Sequence, residues 1–92
     1  MKVTVKLFGE FRAALGVESL PLDLPRAMTC REALVRLAED HPQLGDLLFA
    51  GGKIRDHLHV FVNGRNVVHG QGLGTPLSPG DTLTFFPPIS GG

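Results

Sequence analysis

Thr29-Cys30-Arg31-Glu32-Ala33-Leu34-Val35-Arg36-Leu37-Ala38-Glu39-Asp40-His41 is the stretch where the chain changes rhythm. Cys30, Leu34, Leu37, Ala38 and His41 fall at i, i+4, i+7, i+8 and i+11, which is one apolar stripe of a helix. Arg31, Glu32, Glu39 and Asp40 mostly take the opposite face. Thr29 stands three residues before Glu32, the spacing at which each side chain satisfies the other's free backbone amide. The pattern predicts a helix over about residues 30–41, with Pro42 ending it or starting a new turn.

On both sides of this helix the period is two. Val3, Val5 and Leu7 alternate with Lys2, Thr4, Lys6 and Phe8, as in a half-buried strand. Gly9 breaks the run, and Glu10 to Leu15 fit a short helical turn before Gly16. Leu20, Leu22 and Leu24 then alternate with Ser19, Pro21 and Asp23. Pro21 has no amide to donate, so this second strand belongs at a sheet edge, antiparallel to the first. Beyond the helix, Leu44, Leu47, Leu48 and Phe49 fit a second short helical stretch, and Ala50-Gly51-Gly52-Lys53 reads as a loop. Leu58, Val60 and Val62 alternate with His59 and Phe61. Asn63-Gly64 marks a tight hairpin turn, with Arg65 to Val68 as the returning strand. His69 to Gly74 reads as an ordered glycine-rich loop, Pro79-Gly80-Asp81 as a turn, and Thr82 to Phe86 as the last strand, with Leu83 and Phe85 on one face.

The order is β-β-α-β-β-β, an α+β chain with one main helix packed on one face of a mixed sheet of about five strands. That is the β-grasp, or ubiquitin-like, arrangement, in which the first and last strands run parallel at the centre. One domain is expected over residues 1–86, followed by a flexible C-terminal tail over 87–92. There is no internal repeat and no linker.

Composition narrows the function. The chain has 92 residues, one domain's worth. Nine basic and nine acidic residues cancel, so no global cationic field favours nucleic acid or an anionic membrane. The 42% apolar content is enough for a core. A single cysteine, Cys30, excludes an internal disulfide and a multi-cysteine metal site. No run approaches the ~20 apolar residues of a membrane span. The N-terminus alternates rather than forming a secretory apolar block, so a cytoplasmic protein is expected.

The sequence closes on Phe85-Phe86-Pro87-Pro88-Ile89-Ser90-Gly91-Gly92. Pro87-Pro88 stiffens the exit from the last strand, and the residues beyond Phe86 can reach at most about 20 Å. Gly91 and Gly92 carry no side chains, so the end is thin enough to thread a narrow tunnel. Its α-carboxyl, with an ordinary pKa of about 3.3–3.7, is ionised at neutral pH and resists nucleophiles. It must be activated first, for example as an acyl-adenylate, after which sulfide, a thiol or an amine displaces AMP. The chain has no phosphate-binding loop of the Gly-x-x-x-x-Gly-Lys-Ser/Thr type, so activation falls to a partner using ATP.

These residues resemble the MoaD/ThiS group of ubiquitin-like sulfur carriers, from Val3-Thr4-Val5-Lys6-Leu7-Phe8 through Pro79-Gly80-Asp81 to Gly92. The Phe-Phe-Pro-Pro-x-x-Gly-Gly ending is most like MoaD, the small subunit of molybdopterin synthase. The resemblance implies a carrier with no turnover of its own and no bound cofactor, working in a hetero-oligomer. Its Gly92 would be adenylated by a MoeB-type enzyme with ATP and Mg, then converted to a thiocarboxylate. A MoaE-type large subunit would receive the sulfur and pass it to a pterin precursor. Gly91 would supply the slim approach, and Pro87, Pro88, Ile89 and Ser90 would line the partner's channel. The long segment from Lys53 to Gly74 is similar instead to carriers that feed cysteine biosynthesis or tRNA thiolation, or are conjugated to lysines as protein modifiers.

Strand parity independently predicts a docking face. If Val3, Val5 and Leu7 point inward, Phe8 points out; the same rule puts Phe86 and Phe61 outside. Parallel pairing of the first and last strands brings Phe8 and Phe86 to one end, beside the tail, and clustered exposed aromatics mark an interface. His57 and His59 share a strand face but lack a third ligand, so a solvated or interface pair is favoured over a metal site. His41 beside Pro42 is explained by the helix C-terminus, and His69 has no assigned role. Cys30 lies in a first helical turn, where the dipole lowers a thiol's pKa, but on the apolar face, which favours a buried structural role.

Overall fold

The computed structural model describes residues 1–55 and 58–86. The N-terminal alternation becomes strand β1 (Lys2–Leu7), in which Val3, Val5 and Leu7 are buried while Lys2, Thr4 and Lys6 face outward. β1 pairs antiparallel with β2 (Ser19–Asp23) and parallel with β7 (Thr82–Phe86). β5 (His59–Val62) lies antiparallel on the far side of β7, and β6 (Arg65–Asn66) closes the sheet, giving the order β2-β1-β7-β5-β6. The first and last strands are thus parallel neighbours at the centre of a mixed five-stranded sheet, the β-grasp arrangement.

β2 is an edge strand, as Pro21 requires. The Leu24 amide donates to the Met1 carbonyl at 2.7 Å, so the amides two and four residues earlier also face β1. Position 21 therefore faces away from the sheet. Proline there costs no ladder bond and blunts the edge against a further strand.

Helix α2 (Cys30–Asp40) covers one face of the sheet and buries Cys30, Ala33, Leu34 and Leu37. Its start is the reciprocal cap: the Glu32 amide donates to Thr29 Oγ1 at 3.3 Å, and the Thr29 amide donates to Glu32 Oε1 at 2.9 Å. Burial of Leu34 and Leu37 contributes roughly 1.5–3 kcal/mol each, more than the cap, but the cap fixes where the helix begins. His41 ends α2 and precedes α3 (Pro42–Leu48), where Pro42 occupies a first-turn position that needs no amide donor. The short α1 (Gly9–Leu15) sends Phe11 into the core, where its ring meets Phe85 edge-on at 4.7 Å. The core joins these residues to Val3, Val5, Leu7, Leu44, Leu48, Val60 and Leu83.

Two expectations are corrected. The Ala50–Lys53 loop is the turn of a small antiparallel hairpin, β3 (Phe49–Ala50) with β4 (Lys53–Ile54). Gly51 and Gly52 both take positive φ, 60° and 79°, which only glycine adopts freely; the flanking strands are two residues each, too short to show periodicity. The strand expected over Arg65–Val68 pairs with β5 only at Arg65 and Asn66. The Asn66 side chain then accepts from the Val68 amide at 3.0 Å and turns the chain into a 3₁₀ segment, Val67–His69. The Asn63-Gly64 hairpin turn itself forms as read, with both residues at positive φ. A second 3₁₀ turn, Gly72–Gly74, lies within the glycine-rich stretch. The expected tail, 87–92, lies outside the described residues, and no described helix is long and apolar enough to cross a membrane.

Candidate functional site

Among the described residues no element covers the face of the sheet opposite α2, and its character follows from strand register. Leu7 of β1 stands beside Phe85 of β7, so the next residues, Phe8 and Phe86, emerge together at the end where β7 finishes. Their rings stack with centroids 5.0 Å apart. Phe61 of β5 faces Thr84, and its ring meets Phe86 edge-on at 5.4 Å. Phe8 is 41% exposed, while Phe61 and Phe86 are half-buried. Aromatic pairs at such spacings gain roughly 0.5–1.5 kcal/mol beyond their area, so the three rings help hold one another in place.

A groove of about 560 Å³ runs from this aromatic island to the Asn63-Gly64 turn, floored by Thr82 and Thr84 and flanked by Lys6. Asn63 is committed to the fold. Its Nδ2 donates to Asp81 Oδ1 at 2.9 Å, and its Oδ1 accepts from the Thr82 amide at 2.8 Å. Asp81 is satisfied as well, because its other oxygen accepts from the Ser78 amide at 2.7 Å. Among the described residues the groove therefore offers three aromatic rings, two hydroxyls and one cation.

The structure brings together Phe8, Phe61 and Phe86, the three outward aromatics that parity named. Parity marks every outward residue of β1 and β7 alike, and only the assembled groove sets Lys6, Thr82 and Thr84 beside the aromatics. The other predicted site residues, Pro87, Pro88, Ile89, Ser90, Gly91 and Gly92, lie outside the described residues, as does His57. His59 is exposed opposite Phe86, and no group of three metal-ligating side chains occurs among the described residues.

The one thiol, Cys30, is fully buried, and burial pushes its pKa up to about 11. Desolvation is the cause, and at neutral pH the group is a protonated thiol in the core. The Glu32 carboxyl is held below its usual range, first by the amide of Thr29 and then by Arg26, as a capping carboxylate should be.

Comparison with known proteins agrees with this geometry. The profile of the ThiS family matches residues 5–92. The chain is 33% identical to small archaeal modifier protein 3 of Haloferax volcanii over 92 residues, covering 100% of both. It is 37% identical to a putative sulfur carrier protein of Archaeoglobus fulgidus over 81 residues, 87% of this chain and 91% of that one. Among solved structures, the modifier SAMP1 of Haloferax volcanii superposes with a TM-score of 0.86 at 32% identity, covering 100% of both chains. A chain of the BexX/CysO complex of Amycolatopsis orientalis gives 0.76 at 28% identity, covering 98% of this chain and 99% of that one.

Proposed function

Since the chain belongs to the ThiS family of ubiquitin-like small proteins, we propose that it is a carrier whose Gly92 carboxylate is activated and loaded inside partner proteins. The observation that carries the reading is the island of Phe8, Phe61 and Phe86, placed at the end of the sheet where β7 leads toward Gly91 and Gly92. A partner seated on these rings takes hold of the rigid domain at the root of the segment it must receive. The domain supplies affinity, and Pro87, Pro88, Ile89, Ser90 and Gly91 supply the approach.

The chemistry balances with ATP supplied by a MoeB-type adenylating partner. The Gly92 carboxylate attacks the α-phosphorus, pyrophosphate leaves, and an acyl-adenylate forms. Hydrosulfide then attacks the acyl carbon and displaces AMP, leaving a thiocarboxylate. In the first reading that sulfur passes to an acceptor, in molybdopterin synthesis through a MoaE-type subunit, with cysteine biosynthesis or tRNA thiolation as equally fitting destinations. The second reading, in which a substrate lysine displaces AMP and the chain becomes a protein modifier, is favoured by full-length similarity to small archaeal modifier protein 3. In both, the chain works within a hetero-oligomer, as CysO does in its complex with BexX.

The test is charging by a MoeB-type enzyme with ATP, Mg and sulfide, followed by ATP–pyrophosphate exchange and intact-mass spectrometry. Wild type should support exchange and gain the mass of a sulfur-for-oxygen replacement at Gly92, or leave diglycine remnants on target lysines. A chain lacking Gly91 and Gly92 should do neither while melting at the same temperature. Equal exchange by that truncated chain would sink the proposal.

A further inference from the structure

We infer that the partner segment seated in the open-face groove is acidic, with a carboxylate that pairs with Lys6 beside an apolar side chain packed on Phe8, Phe61 and Phe86. The inference rests on the proposed function and specifies the chemistry of its first recognition step.

The groove's polar inventory leads there. Among the described residues Lys6 is its single charged lining residue, and it makes no ion pair or side-chain hydrogen bond with any of them. Asp81, which precedes the groove's Thr82 in sequence, has both oxygens engaged by Asn63 and Ser78. On the other side of Phe8, a second hollow of about 300 Å³ is lined by Lys6, Arg12 and Glu18, but there Arg12 and Glu18 satisfy each other at 3.1 Å. Lys6 is thus the cation left over where the two hollows meet. When a partner covers the rings it removes water from the same ridge, and an unpaired ammonium there would lose its hydration without return. A carboxylate from the partner resolves this and fixes orientation on the otherwise slippery aromatic floor. A phosphate-rich nucleic acid fits poorly, since one cation on a chain of zero net charge gives little counterion release.

The experiment uses the full chain and a MoeB-type adenylating enzyme, with the carrier's KM and kcat read by ATP–pyrophosphate exchange. Lys6→Glu should raise KM about tenfold with kcat nearly unchanged, as expected when a ground-state charge pair becomes a repulsion. Lys6→Arg should restore wild-type KM, and Lys6→Gln should flatten the rise of KM with salt. An unchanged KM in Lys6→Glu, with wild type exchanging normally, overturns this inference and leaves the function standing. Failure of wild type itself to exchange overturns the function, and this step with it. Sedimentation of the chain alone as a dimer that Lys6→Glu dissociates would show a second copy to be the occupant, and also overturns it.

Discussion

Two phenylalanine pairs sit on opposite sides of the same sheet. Phe11 and Phe85 meet at 4.7 Å in the core, fully buried. Phe8 and Phe86 meet at 5.0 Å on the open face, with Phe8 41% exposed. Each pair joins a residue at or in α1 to one in β7, and Phe85 and Phe86 are adjacent in sequence. Ring contact alone therefore does not decide what a pair is for. Parity decides which side it occupies, and the presence or absence of a covering helix decides whether it stabilises the domain or remains available to another molecule.

The largest consequence lies on the covered side. Phe85→Ala should cost about 3–5 kcal/mol, because it removes a buried ring and leaves a cavity between Phe11 and the sheet. Urea denaturation checks this, with the midpoint falling and the slope nearly constant. Similar losses for Phe85→Ala and Phe86→Ala would break the contrast between the two faces.

Cys30 sharpens the contrast through pH. Its folded pKa lies near 11 against an ordinary 9.0, with burial the cause. Folding thus favours the protonated thiol. That contribution is complete below pH 9 and is lost as pH rises toward 11, where the unfolded chain has released a proton that the folded chain keeps. The loss should total roughly 2–3 kcal/mol at about 1.4 kcal/mol per pKa unit. Stability measured from pH 8 to pH 11.5 should fall more steeply in wild type than in Cys30→Ala, and parallel curves would show the thiol to be solvated.

Much of this architecture is legible from sequence because its signals are local and repeated. The Thr29–Glu32 cap, the stripe from Cys30 to Leu37 and the alternation in β1, β5 and β7 each have enough periods to identify themselves. The β3–β4 hairpin and the 3₁₀ turn after Asn66 do not. Two-residue strands have no period, and Asn66 ends its strand through one side-chain contact that Arg65–Val68 does not advertise. The aromatic island was legible from parity together with the parallel pairing of the end strands. Lys6 was not, since what distinguishes it from Lys2 or Lys53 is its position between two hollows, a property of the assembled surface.

The smallest effect on stability, and the most informative, belongs to Phe86→Ala. The ring is half-buried against Phe8 and Phe61 with no helix over it among the described residues, so its removal opens no internal cavity. The cost should be about 1 kcal/mol, the worth of partial burial and two ring contacts. The same substitution should raise the carrier's KM for a MoeB-type enzyme by about tenfold or more, because an anchor covered by a partner loses its whole contribution on truncation. Calorimetry beside ATP–pyrophosphate exchange separates the two. A large fall in melting temperature would place Phe86 with the core, whereas a nearly unchanged melt with a raised KM places it with the partner. A ring that the isolated domain scarcely needs is then explained by what the domain has to hold.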